Sequence, residues 1–335
     1  MKVGLVYDLR SEYLAAGFSE EQTAELDHEE TIEALRLGLT ALGFEVEAVG
    51  SARALAGALA HGRRWDFVFN IAEGLFGSGR EALAPALLDA WRIPYTFSDP
   101  LVMALCLDKA MCKRVVRDLG LPTPDFALVR SEKDLAELRL GYPVFAKPVA
   151  EGTGKGVSAA SRAGDRKELA AVCRTLLKRF HQPVLVEAYL PGREFTVGVV
   201  GTGELARPLG VMEVVLRGGA EPGAYSYSNK ANFESVVDYL PAVGPEAEEA
   251  AQLALDVWRG LGCRDGGRVD IRQDGQGRAQ FMEVNPLAGL NPNISDLPIL
   301  CRMNGVSYQD LLRMIVQSAL ERLPLDPDRE RPLRG

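Results

Sequence analysis

No stretch of this chain approaches the roughly 20 uninterrupted apolar residues that a membrane-crossing helix requires, so no membrane partner is expected. Positive charge is scarce as well: 38 Lys and Arg stand against 46 Asp and Glu, a formal net charge of −8. An acidic chain is repelled by a phosphate backbone, which argues against broad nucleic-acid binding, and a phosphate site here must be a local basic cluster. Cysteines with paired metal spacing are missing. Cys106, Cys112, Cys173, Cys263 and Cys301 are scattered and odd in number, and read as small buried hydrophobes in a reducing compartment. The start, Met1-Lys2-Val3-Gly4-Leu5-Val6-Tyr7-Asp8, reads as a strand entering a polar loop rather than a signal peptide. A cytoplasmic location is expected. Internal repeats and heptads are absent too, so oligomeric state is not legible.

What is present has the balance of a soluble globular chain, with 47% apolar and 25% charged residues. Its 335 residues exceed one ordinary core, so two or three packed units are expected. Residues 1–100 alternate strand and helix: an apolar run at 3–7, a helix at 29–42, strands at 44–49 and 65–71, and a helix at 81–91. Ile32, Leu35, Leu39 and Leu42 share one face of the first helix. Such alternation implies parallel strands with crossover helices, an open α/β sheet. Residues 101–187 read as a small α+β unit, with one helix at 101–119, strands at 126–129, 143–147 and 184–187, a helix at 166–180 and a glycine-rich lid. Residues 188–323 carry strands at 195–200, 209–216, 267–272 and 280–284 and helices at 246–261 and 308–321. Residues 324–335, rich in Pro, Asp and Arg, read as a flexible tail.

The strongest chemical signal lies late in the chain. Asp270 interrupts the apolar strand Arg268-Val269-Asp270-Ile271, and Glu283 and Asn285 interrupt Phe281-Met282-Glu283-Val284-Asn285. Side chains two apart on a strand share a face, so Glu283 and Asn285 point the same way. The turn Gln273-Asp274-Gly275-Gln276-Gly277 suits a hairpin that brings Asp270 beside them. Two carboxylates and an amide oxygen are the hard donors Mg²⁺ prefers, completed by phosphates and water. The alternative is that each acid caps a turn or pairs with a surface arginine. For three polar groups interrupting two apolar strands, metal binding is the better reading, because unpaired buried acids are costly.

Basic groups supply the other half. Lys109 lies near the start of a helix, and Lys147 ends the strand Pro143-Val144-Phe145-Ala146-Lys147 beside Glu151-Gly152-Thr153-Gly154-Lys155-Gly156. Unobstructed backbone N–H groups in such a loop can cover phosphate oxygens. It is not a Walker A loop, because Val149 stands where the first glycine belongs and Gly156 follows the lysine. Each feature alone reads as a solvated lysine or an ordinary turn. The segment Val184-Leu185-Val186-Glu187-Ala188-Tyr189-Leu190 then passes through a Pro-Gly turn to Arg193-Glu194-Phe195. A connection of that kind can offer backbone groups to an adenine edge and an acid to ribose.

Taken in order, these segments resemble the ATP-grasp superfamily, and within it the D-alanine–D-alanine ligase-like family. The resemblance spans roughly 66–321. It is carried by Ile93-Pro94-Tyr95-Thr96, Leu107-Asp108-Lys109, Leu121-Pro122-Thr123-Pro124, Tyr142-Pro143 through Lys147-Pro148, Pro191-Gly192-Arg193-Glu194-Phe195-Thr196-Val197-Gly198 and Glu283-Val284-Asn285. It implies three domains, 1–100, 101–187 and 188–323, with ATP held between the second and third. It also implies that Lys109 and Lys147 contact ATP phosphates under a lid containing Glu151, Gly152, Thr153 and Gly154. Glu187 and Tyr189 would lie at the adenine edge and Glu194 at the ribose. Lys230, in Tyr225-Ser226-Tyr227-Ser228-Asn229-Lys230, would approach the γ-phosphate. Asp270, Glu283 and Asn285 would bind two Mg²⁺ ions, or Mn²⁺ in their place, while Arg268 and the Gly289 N–H would face the reacting acyl group. The implied reaction joins a small-molecule carboxylate and an amine, such as two amino acids, through an acyl phosphate, as in peptidoglycan synthesis. A dimer through the N-terminal unit is implied as well.

The departures gather around the first-substrate pocket. The family's glycine-rich turn and Ser-x-Glu motif after the first strand are not reproduced by Asp8-Leu9-Arg10-Ser11-Glu12-Tyr13. The His-Gly motif becomes Glu73-Gly74, and Ala231 replaces the tyrosine expected after the mobile-loop lysine. Glu73 can offer an anion to a substrate ammonium, Arg80 can hold a carboxylate, and Asn293 and Ser295 join them as candidate substrate residues. An interdomain salt bridge is the alternative for Glu73 and Arg80. Two other readings stand beside a D-alanine–D-alanine ligase: a ligase of a specialised pathway with different substrates, and a nucleotide-binding protein that has lost its chemistry.

Overall fold

The computed structural model describes residues 1–218 and 236–323. At the N-terminus, β1 (Lys2–Val6), β2 (Glu45–Gly50) and β3 (Phe67–Asn70) form a parallel sheet in the order β2-β1-β3. The short α1 (Arg10–Ala15) follows β1, and α2 (Glu29–Ala41), α3 (Ala52–Ala60) and α4 (Leu83–Ala90) cover the sheet. β3 reads Phe-Val-Phe-Asn without alternation because both faces are covered. Phe67 and Phe69 enter one core with Val3 and Leu5, while Val68 enters another with Val6, Leu55 and Leu88.

The expected single helix at 101–119 is two helices, α5 (Pro100–Leu107) and α6 (Lys109–Asp118). Asp108 breaks it. Its backbone is extended, and its carboxylate accepts from Ala110 N at 3.0 Å and Met111 N at 2.9 Å, an N-cap that restarts the chain at Lys109. The central sheet has the order β4-β7-β5-β6, built from β4 (Phe126–Val129), β5 (Val144–Pro148), β6 (Arg162–Ala163) and β7 (Val184–Ala188). α7 (Arg166–Phe180) packs Leu169, Cys173 and Leu176 onto one face of it.

The third sheet is antiparallel in the order β10-β9-β8-β11-β12. Its strands are β8 (Glu194–Val200), β9 (Arg207–Leu216), β10 (Val237–Pro241), β11 (Gly266–Gln273) and β12 (Ala279–Asn285). α8 (Pro245–Leu261) covers one face with Val257 and Trp258. α9 (Asp296–Met303) and α10 (Tyr308–Glu321) cover the other, placing Leu300, Leu312 and Ile315 in the same core as Leu5, Leu35 and Phe69. The N-terminal and C-terminal units therefore share one apolar core. Fully buried Asp265 reinforces the joint, accepting from Phe97 N at 2.7 Å, Ser318 Oγ at 2.9 Å and Arg322 Nε at 3.1 Å.

Trp258 is fully buried, and its indole N–H donates to the Gly201 carbonyl at 3.1 Å. Trp258→Ala is expected to destabilise the fold by about 3–5 kcal/mol through the cavity it leaves, read as a lower denaturation midpoint.

Candidate active site

The metal-type cluster is built by strand pairing. β11 alternates strictly: Val269 and Ile271 are buried in the core, while Arg268, Asp270 and Arg272 face a cleft. Asp270 lies opposite Glu283 on β12 and Thr196 on β8, and Arg268 lies opposite Asn285. The β11–β12 register shifts after Asp270, so that Ile271 pairs with Phe281 and Met282 is the extra residue of a bulge. The bulge turns both Met282 and Glu283 to the cleft while Phe281 and Val284 stay in the core. Asp270 accepts from Thr196 Oγ1 at 3.0 Å and Asn285 Nδ2 at 3.4 Å, and it pairs with Arg268. Burial works against the charge on Arg268. The carboxylates of Asp270, Asp296 and Glu283 outweigh it and hold the guanidinium above its ordinary pKa.

Facing this cluster, three lysines and a glutamate form a chain of ion pairs. Glu187 on β7 is 1% exposed and lies 2.7 Å from Lys113 Nζ and 3.1 Å from Lys147 Nζ. Lys147 stands 3.8 Å from Glu283, and Lys109, the first residue of α6, stands 3.6 Å from it. Burial opposes the charge on Glu187, but Lys113 and Lys147 together hold its pKa below the carboxylate range. Burial likewise opposes the Lys147 charge, and Glu187 and Glu283 outweigh it, whereas at Lys113 burial wins and lowers the pKa. The cleft between the two clusters is also lined by Tyr189, Leu190 and Glu194. Arg162 and Arg272 each lie over the Tyr189 ring, with 4.8 Å and 5.4 Å from guanidinium to ring centre.

The 151–156 loop roofs the cleft. Thr153, Gly154 and Gly156 have left-handed backbones, and a Cβ at Gly156 would lie 2.6 Å from Pro148 and 2.8 Å from Phe180. The loop rests on the N-terminal unit through Glu25, which pairs with Lys155 at 3.1 Å and accepts from Gly152 N. A larger cavity of about 520 Å³ lies beyond. It is lined from one side by Gly289, Asn291 and Ser295 and from the other by Asp27, Glu73 and Glu81. Lys109, Arg268, Glu283 and Asp296 line both spaces and form the boundary between them.

Residues 115–317 match the family model described as the D-ala D-ala ligase C-terminus. The D-alanine–D-alanine ligase of Xylella fastidiosa is 34% identical over 309 residues, covering 90% of this chain and 96% of that one. That of Bordetella avium is 36% identical over 257 residues, covering 75% and 77%. The chain belongs to the D-alanine–D-alanine ligase family. It is an ATP-dependent ligase that forms a carbon–nitrogen bond. The fold agrees: the crystal structure of the Bacillus anthracis D-alanine–D-alanine ligase superposes with a TM-score of 0.73 at 21% identity, covering 96% of this chain and 98% of that one. The VanG D-Ala:D-Ser ligase of Enterococcus faecalis gives 0.72 at 18%, covering 95% and 99%. These likenesses place the chain among ATP-grasp folds.

Within this ligase family, the expected site residues divide between those that line the cleft or cavity and those that do not. Glu187, expected at the adenine edge, does line the cleft, and its carboxylate oxygens lie against Lys113 and Lys147. Glu194 lies 3.3 Å from Arg272. Arg80 does not line the larger cavity: its guanidinium holds Glu25 at 2.8 Å and the Ala150 carbonyl at 3.0 Å, the interdomain bridge that stood as the alternative. Asn293 is exposed and does not line that cavity, whereas buried Asn291 lines it and donates to Thr31 Oγ1 at 3.1 Å. Ser295 does line it, and its Oγ accepts from Asn291 N at 3.0 Å. Lys230 and Ala231 lie outside the described residues. Sequence reasoning missed Asp27 and Glu81, and it saw Lys113 only as part of a helix. Lys109 and Lys113 sit on the same buried stripe of α6 as Ala110, Cys112 and Val116, and two lysines on an apolar stripe were the available signal.

Glu187 has a pKa lowered from 4.5, so its pairing stabilises the fold above pH 4.5, and that stability is lost as pH falls through the folded value. Lys113→Met removes one partner and is expected to cost about 3–5 kcal/mol at pH 7. The cost should be smaller at pH 4, where the carboxyl can take up a proton. Urea denaturation at the two pH values measures the difference.

Proposed function

We propose that this ligase joins two amino acids, activating the carboxylate of the first and adding the amine of the second. The observation that carries the reading is the shared boundary of Lys109, Arg268, Glu283 and Asp296, which sets a lysine-rich cleft against a roomy substrate cavity. In this reading residues 1–100, 101–187 and 188–323 act as three domains, and the nucleotide lies between the second and third. Lys109 and Lys147 hold its phosphates, Tyr189 and the backbone near Glu187 meet its base, and the 151–156 loop excludes water from the acyl phosphate. The cleft measures about 100 Å³ beneath the loop, less than a nucleotide requires, so admission of ATP lifts the loop away from Glu25.

The donor set fits magnesium. Asp270 and Glu283 face each other across paired strands, Asn285 shares their face, and all present oxygen. Among the described residues no three His, Cys, Asp or Glu side chains converge to cage an ion, so phosphate oxygens and water must complete the shell, as Mg²⁺ prefers. When bound, the ion neutralises charge on the transferring phosphoryl group. In this reading Arg268, which pairs with Asp270 and lies 3.8 Å from Asp296, meets the oxyanion of the second step together with the Gly289 N–H.

Synthesis of a D-alanyl peptide for peptidoglycan, in the cytoplasm, is the reading closest to the named relatives. Among the described residues no helix is long and apolar enough to cross a membrane. Ligation of a different pair is favoured by one observation, the carboxylates of Asp27, Glu73 and Glu81 in the substrate cavity. Screening D- and L-amino acid pairs for ADP release, with product mass, separates the two. Arg268→Met is expected to lower kcat about 10²–10³-fold with the best pair. Chelation of divalent ions should abolish turnover, and activity surviving chelation would remove the metal assignment.

A further inference from the structure

The N-terminal end of the larger cavity gathers more carboxyl groups than its own cations pair with. Glu25, at its edge, is neutralised by Arg80 at 2.8 Å and Lys155 at 3.1 Å. Glu81 is nine-tenths buried and accepts no hydrogen bond among the described residues, and its nearest cation, the same Arg80, stands 3.9 Å away. The Glu73 carboxylate has neither a hydrogen bond nor an ion pair among the described residues. The remaining cations around the cavity are engaged elsewhere: Arg10 with Glu20, Lys109 with Glu283 and the Glu151 carbonyl, Arg268 with Asp270 and Asp296. Burial, reinforced by Glu81 and Glu25, pushes the Glu73 carboxyl well above the carboxylate range. Burial also pushes Glu81 up to about 7 against Arg80 and the more distant Lys109, with Glu25 adding to it, and Asp27 up to about 7, with Asp8 adding to it against Thr31. These groups keep protons until a cation arrives.

A single metal ion does not answer this charge, because among the described residues no three such side chains converge closely enough to cage one. An extended organic cation does. One carboxylate suffices for the α-ammonium that every amino acid carries, and this end of the cavity presents three. We propose that it receives an amino acid or amine bearing a second cationic group, an ammonium or guanidinium, with Glu73 and Glu81 as the specificity-determining residues. The inference rests on the ligase reading and names the substrate class of that same site.

The test compares lysine and ornithine with norleucine, a neutral analogue of similar length, in both hands and with alanine as partner, by ADP release from the full chain. Calorimetric binding at pH 7 in two buffers of different ionisation enthalpy counts the protons exchanged. The cationic amino acids are expected to be favoured at least about tenfold and to release protons on binding. Glu73→Gln and Glu81→Gln, made separately, should each reduce both effects. Equal use of norleucine, or a preference that survives both substitutions, overturns the proposal. If no amino acid elicits ADP, the reading that two amino acids are joined fails, while the calorimetric preference still decides the inference.

Discussion

Glu187 sits at the centre of the molecule's charge balance. It is 1% exposed, and a lone carboxylate there would be neutralised or expelled by desolvation. Lys113 and Lys147 keep it ionised, and through Lys147 the chain of charges reaches Glu283 and then Lys109. α6, the central sheet and β12 are thereby fixed relative to one another by buried charge. Lys113 also donates to the Phe281 carbonyl at 2.9 Å, so the same ammonium that holds Glu187 braces the strand carrying Glu283. Removing either end of such a chain leaves an uncompensated charge, which makes the arrangement specific.

The cleft then depends on a backbone irregularity. Regular pairing of β11 and β12 would set Met282 and Glu283 on opposite faces. The bulge at Met282 gives both to the cleft, and Phe281 remains in the core beneath. Across the cavity, the shared core of Leu5, Leu35, Leu300 and Ile315 fixes the N-terminal sheet against the C-terminal helices. Asp27, Glu73 and Glu81 therefore face Gly289 and Ser295 at a distance set by packing. The roof is different in kind. It is held through Glu25 to Lys155 and the Gly152 N–H, polar links that can exchange for water and phosphate.

The divided character of the site follows from this construction. The lysine-rich cleft with Asp270 lies on one side of the shared boundary, and the carboxyls of Asp27, Glu73 and Glu81 lie on the other. Glu73 does not stand alone, because Glu81 and Asp27 face the same space. Burial, with Glu81 and Glu25, raises the proton affinity of Glu73, and in the proposed reading this makes the wall selective for positive charge.

Much of this was legible in the residues. The alternation of strands and helices, the polar trio on two apolar strands and the hairpin between them follow from side-chain periodicity and turn chemistry, which are local. The family resemblance followed from the order of short motifs. The break at Asp108 was also locally encoded, as an N-cap acid, but helical periodicity on both sides concealed it. Four things were decided only in three dimensions: the commitment of Glu187 to two lysines, the capture of Arg80 by Glu25, the bulge at Met282, and the choice of Asn291 over Asn293 as the cavity residue. Each depends on partners far apart in the chain, and the energy of a charge or amide is set by what surrounds it after packing. A linear pattern identifies which groups can do chemistry, while desolvation and long-range pairing select which of them remain available to a substrate.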